Sequence, residues 1–187
     1  MEKIQNLFSS CGRRLGTLLF AALACLAFTC APTEEASAQG FELDAGFGWM
    51  AETDDGHGIH GFEITVSPGY RIVDWVGVYI DQGFGGLFNS GHGQFAGQTI
   101  FNAKFYYQLG PGEIWGKFGL GAFYKAHDGD SWGAFAFKIG TGYTADITDM
   151  IGIGGNFDYL PAIWSSGYGW SVCTHVLELQ FHVRFKF

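Results

Sequence analysis

The chain has 187 residues with 18 acids against 10 bases, 30 glycines, 18% aromatic and only 15% charged residues. That length suits one domain, and a chain this aromatic and this poor in charge is not intrinsically disordered. The acidic balance argues against a nucleic-acid partner, which needs a basic patch to displace phosphate counterions, and glycine with aromatics over only four prolines favours many short strands.

Residues 1–38 have the pattern of a secretory leader. Lys3, Arg13 and Arg14 form a basic start, Leu18–Phe28 is an apolar run too short to span a bilayer, and Ala36-Ser37-Ala38 is a small-x-small cleavage site before Gln39. Cys11, Cys25 and Cys30 would leave with the leader, so residues 39–187 keep only Cys173 and form no internal disulfide. Lipoprotein processing at Cys25 or Cys30 fits the preceding residues poorly.

From Phe41 onward the chain alternates with period two, the signature of a strand with one apolar and one polar face. The first segment sets Phe41, Leu43, Ala45, Phe47 and Trp49 against Glu42 and Asp44. The second sets Phe62, Ile64, Val66, Pro68 and Tyr70 against Glu63, Thr65 and Ser67. The third opposes Val76, Val78, Ile80 and Phe84 to Tyr79 and Asp81; the fourth opposes Phe101, Ala103, Phe105 and Tyr107 to Asn102 and Lys104. The fifth sets Ile114, Phe118, Leu120 and Tyr124 against Lys117, and the sixth Phe135, Phe137, Ile139 and Tyr143 against Lys138. The seventh sets Ile151, Ile153, Phe157 and Tyr159 against Asn156 and Asp158. The eighth is the clearest: Leu177, Leu179, Phe181, Val183, Phe185 and Phe187 alternate with Glu178, Gln180, His182, Arg184 and Lys186. These are eight predicted strands of roughly ten residues, the length of a tilted membrane-crossing strand.

Short connections are predicted near 71–74, 109–113 and 145–149, and longer ones, rich in Gly, His and aromatics, near 51–59, 85–98, 125–131 and 160–170. A weak repeat places Asp74, Glu113 and Asp149 just before a rising strand, recurring about every 36–39 residues, one hairpin with its loops.

Alternation alone does not say which face points outward. Aromatics at both ends of the apolar face (Phe41, Tyr70, Tyr107, Tyr143 and Phe187; Trp49, Phe84, Tyr124 and Tyr159), a thin charged face padded with glycine, and unequal connections all point to lipid outside and ions inside. The expected fold is all-β, an eight-stranded antiparallel up-and-down transmembrane barrel.

The leader, the eight alternating segments and the terminal Phe-His-Val-Arg-Phe-Lys-Phe187 resemble the small outer-membrane β-barrel family that includes the OmpA membrane domain and OmpX. The resemblance implies an outer-membrane location in a Gram-negative bacterium, with membrane lipid as the surrounding partner. It also implies that Phe181, Val183, Phe185 and Phe187 act as the terminal signal read by the barrel-assembly machinery. A monomer is expected.

Ten ions fall on the inward face: Glu42, Asp44, Glu63, Asp81, Lys104, Lys117, Lys138, Glu178, Arg184 and Lys186. Acids dominate the first three strands and bases the fourth to sixth. An eight-stranded barrel has room inside for side chains and little more, so a salt-bridged plug is expected rather than a charged pore. Strand 8 must close on strand 1, which predicts Glu42 and Asp44 facing Lys186 and Arg184 across the seam.

His57, His60, His92 and His127 fall in the predicted outer loops near Glu52, Asp54, Asp55, Asp128 and Asp130, where glycine-rich segments do not preorganise a metal. Ser165, Ser166, Ser171 and His175 lie near one another in sequence, but the tightly spaced His-x-Ser with a nearby Glu of lipid-modifying barrels is absent, and His175 and Cys173 take the lipid-facing parity. The expected protein is therefore a non-enzymatic barrel without cofactor or metal, its outer loops exposed for surface interaction or ligand contact. Alternatives in other classes are a lipid-modifying barrel enzyme, a small-solute channel and a soluble periplasmic barrel.

Overall fold

The computed structural model describes residues 40–54, 57–89, 92–127, 130–165 and 171–187. Eight strands fill them: β1 (Gly40–Asp54), β2 (His57–Val73), β3 (Val76–Asn89), β4 (His92–Leu109), β5 (Gly112–His127), β6 (Asp130–Asp146), β7 (Ile151–Ser165) and β8 (Ser171–Lys186). Each pairs antiparallel with its sequence neighbours, and β1 pairs with β8 to close the barrel. Closure leaves no sheet edge, so every strand finds ladder partners on both sides, as a backbone within lipid requires.

The period-two alternation lands as the sequence predicts. The odd-numbered apolar side chains of β8 face outward and its even-numbered polar ones are buried, and each of the other strands keeps the faces read from its segment. Phe47, Phe101 and Phe181 are 59%, 63% and 76% exposed, while Lys138, Asp158, Glu178 and Arg184 are fully buried. A soluble protein has the reverse distribution, so it is the outer wall that requires an apolar solvent.

The strands are longer than the roughly ten residues expected; the shortest has 14 residues and the longest 18. The segments near 51–59, 85–98, 125–131 and 160–170, expected as long loops, are mostly strand: β1 runs to Asp54 before β2 begins at His57, and β3 to Asn89 before β4 begins at His92. Backbone pairing outlasts the side-chain alternation there, because a ladder still satisfies N–H and C=O groups where no bilayer enforces an apolar face. The contrast between the two barrel ends is therefore one of hairpin extension rather than loop length. At the distal end the hairpins rise unequally: β6 first pairs with β7 at Ala134↔Trp164, whereas β5 and β6 stay paired up to His127↔Asp130.

At the proximal end, where Gly40 and Phe187 lie, the turns are tight. Gly110 takes φ 63°, which an L side chain rarely adopts, and Pro111 follows with its φ locked negative; that sign pattern opens a primed hairpin turn matching the twist of β4 and β5. In the β6–β7 turn the Thr148 hydroxyl accepts from the N–H groups of Met150 (3.2 Å) and Ile151 (3.0 Å). The seam extends to the last residue, where the Phe187 N–H donates to the Phe41 carbonyl at 2.9 Å and the two rings lie 5.7 Å apart.

The outer wall carries a polar patch on β3–β5. Gln82 donates to the Gln98 carbonyl (3.1 Å) and to the Tyr124 hydroxyl (3.2 Å), and accepts from Thr99 (3.0 Å). Gln82 thus has partners for its amide hydrogens and its oxygen, which lets it sit among lipid-facing residues. The Tyr124 ring covers Gly97, where an added Cβ would overlap it.

Candidate functional site: the packed interior

The interior is stacked in layers. At the proximal end, Arg71 reaches across the lumen from β2 to β5. Its two terminal nitrogens donate to the Glu113 oxygens at 2.5 and 2.8 Å, and its Nε lies 2.8 Å from Glu42. Arg184 from β8 meets Asp44 at 2.8 Å and Glu113 at 3.0 Å. Lys104 donates to the second Asp44 oxygen at 2.6 Å. Tyr79, Tyr106 and Trp115 pack among these ions. The Tyr79 hydroxyl donates to Glu42, the Tyr106 hydroxyl donates to Tyr79 at 2.6 Å, and the Arg71 guanidinium lies 3.9 Å from the Tyr106 ring centre. Planar, forked and always charged, arginine suits such bidentate and stacked contacts.

The middle layer is built on two lysines. Lys117 bridges Asp81 (2.9 Å) and Asp158 (2.7 Å). Lys138 bridges Glu178 (2.7 Å) and Asp158 (3.3 Å), lies 3.6 Å from Asp81, and donates to the Gln98 side-chain oxygen at 3.0 Å. Glu63 is held by amides: Gln98 donates to one of its oxygens at 2.5 Å and Gln180 to the other at 2.7 Å. The same Gln98 amide donates to Glu178 at 2.8 Å. His182 lies on the wall between the two ionic layers, its Nε2 2.9 Å from the Thr144 hydroxyl and its Nδ1 3.2 Å from the Asn156 side-chain oxygen.

The distal layer is apolar. Met50, Leu87, Ala96, Ile100, Phe123, Ala134, Ala136, Leu160, Ala162 and Val176 form one buried cluster with Ile59 against it. Above it the buried Glu52 pairs with Lys125. The cavity beside Asp44, Asp81, Lys104 and Lys117 has a volume of about 10 Å³, room for about one water.

The ten ions read from the sequence divide as follows. Asp44, Asp81, Lys104, Lys117, Lys138, Glu178 and Arg184 meet opposite charges across the lumen, Glu42 pairs with Arg71, and Glu63 takes only the amide contacts described. Lys186 departs from expectation. Although Glu42↔Lys186 are register partners, the ammonium turns to Asp146 on β6 at 2.8 Å, because Glu42 is already taken by Arg71 and Tyr79. Across the closing seam the ion pair is Asp44–Arg184, with Glu42 3.6 Å from the same guanidinium.

The sequence reading missed Arg71 and Glu113, placed in short turns, and Glu52 and Lys125, placed in loops; it saw Asp158 as polar without counting it among the ions. Strand parity carried through the supposed turns would have found Arg71 and Glu113. The apolar distal layer was not foreseen: Met50, Ile100 and Leu160 hold the inward parity but were read as loop or left unassigned.

His175 faces outward and stacks on Tyr159, its Nδ1 2.5 Å from the phenol oxygen, and His60 stacks on Trp49. The side chains of His57, His92, His127, Asp54, Asp55, Asp128, Ser165, Ser166, Ser171 and Cys173 lie outside the described residues. Among the described residues, no three His, Cys, Asp or Glu side chains gather as a metal site.

One glycine shows how tightly the proximal layer is set. A Cβ at Gly69 would overlap the Tyr79 ring, which lies flat on that position. Gly69→Ala should push Tyr79 off Glu42 and lower stability by about 1–3 kcal/mol, measurable by urea unfolding in vesicles. An unchanged midpoint would show that the ring relocates freely.

Comparisons with known proteins agree with the geometry. Among solved structures, Neisserial surface protein A superposes with a TM-score of 0.64 at 16% identity, covering 82% of this chain and 100% of that one. Ail, the attachment invasion locus protein of Yersinia pestis, superposes with a TM-score of 0.50 at 14% identity, covering 80% and 99%. These likenesses are of fold. No curated protein matches. The family described as outer membrane protein beta-barrel domain matches residues 20–185, most of the chain. With a closed barrel that turns its apolar face outward and its ions inward, the chain belongs to that family.

Proposed function

We propose that the barrel is a sealed, non-enzymatic anchor in the outer membrane of a Gram-negative bacterium, and that its extended distal hairpins contact ligands at the cell surface. In this reading residues 1–38 are the export leader, the proximal end faces the periplasm and the protein is a monomer. The observation that carries the proposal is the filled interior. Two ionic layers and an apolar layer occupy the lumen, leaving about 10 Å³ in the cavity among the ions, too little for a solute path.

Two measurements test it. In planar bilayers the purified protein should pass no steady single-channel current; stepwise conductance would favour a channel instead. Replacing the distal ends of β3–β4 and β5–β6 by two-residue turns should abolish binding to the cognate surface while leaving heat-modifiable gel mobility intact. Retained binding would place the contact elsewhere on the barrel.

A further inference from the structure

The outer wall is not evenly convex. On the β2–β4 side an open groove of about 610 Å³ runs along the apolar belt. Its shape follows from the register. One cross-strand row runs Phe41↔Tyr70↔Val78↔Ala103, falling from two rings to a valine to a methyl group. On the next row Phe101 pairs with Ile80 of β3, and Pro68 lines the same groove from β2. Pro68 and Ala103 are half-buried, while Phe41, Tyr70, Val78, Ile80 and Phe101 stand exposed around them. Tyr79 and Asn102 also border the groove but turn their side chains into the lumen, so it presents almost no polar group.

We infer that this groove is a binding site for one acyl chain of a glycerophospholipid in the periplasmic leaflet. The inference rests on the membrane reading above. The groove opens beside Phe41 and Tyr70 at the proximal rim and belongs to the lipid-facing wall, with the Gln82–Thr99 pair at its distal end. A flexible hydrocarbon can follow a recess of this shape and needs no hydrogen bond from it. A second copy does not fit: a twofold contact would set recess against recess and leave a void, and the groove offers little polar surface to join two barrels.

The test is photolabelling of the full chain in phosphatidylethanolamine vesicles doped with a diazirine-acyl analogue of that lipid, followed by peptide mapping. Labelling of Val78–Ile80 and Phe101–Ala103 should exceed that of Ile153 and Phe157, on the opposite wall, several-fold. Ala103→Trp, which fills the recess, should bring the two walls level, and Ala103→Leu should do so in part; heat-modifiable mobility verifies that each variant folds. Even labelling around the wild-type barrel, or links between two copies at these residues, would overturn the site. A protein that takes no label anywhere would instead overturn the membrane reading.

Discussion

Lys138→Met should cost the barrel about 3–5 kcal/mol, because it strands the buried Glu178 carboxylate without its cation. Lys138 is fully buried and lies 2.7 Å from Glu178 and 3.3 Å from Asp158, both of them fully buried as well. Methionine keeps most of the volume, so the loss reports charge rather than a cavity. The measurement is reversible urea unfolding in lipid vesicles. Adding Glu178→Gln should recover a measurable part, since the amide no longer demands a counter-ion, and the double-mutant cycle isolates the pair. Additive effects of the two substitutions would mean that Lys138 acts through Asp158 and Asp81 instead.

Deleting Phe187 should lower the amount of barrel assembled in cells several-fold while barely altering folding into vesicles without any machinery. The residue makes one seam hydrogen bond and one ring contact with Phe41, both at the very end of the ladder, so its intrinsic share of stability is small. If the outward row Phe181, Val183, Phe185 and Phe187 is read by the assembly machinery, the cellular loss must exceed the loss in vitro. Phe187→Tyr, which keeps the ring, should restore assembly. Equal loss in both settings would assign Phe187 a structural role only.

The fold was legible in the sequence to the extent that lipid enforced it. Where an outward side chain meets hydrocarbon, alternation is strict, and all eight segments were read with the correct face. Beyond the bilayer the constraint falls on the backbone alone, and backbone pairing leaves no mark in residue type. Hence Glu52, Phe88 and Lys125 were assigned to loops although they stand on strands. Charge segregation along the chain was also visible, but its meaning lay in the closed geometry. With acids on the first three strands and bases on the fourth to sixth, ion pairs such as Asp44–Lys104 and Asp81–Lys117 join strands that are not neighbours. Which base each acid takes depends on stagger around the ring, and so Lys186, expected to face the acids of β1, is held by Asp146 instead.

The interleaving of the two faces has a consequence for how such a chain travels. Spread along the polypeptide, the residues that coat the outer wall never form an apolar run of 18 within residues 40–187, because an inward polar or glycine residue interrupts them repeatedly. A secretion channel scanning the extended chain therefore meets no segment greasy enough to release sideways into the first bilayer it crosses. Lipid affinity exists only after closure gathers the outward residues into one belt, so the destination is encoded in the folded shape rather than in any stretch of the thread.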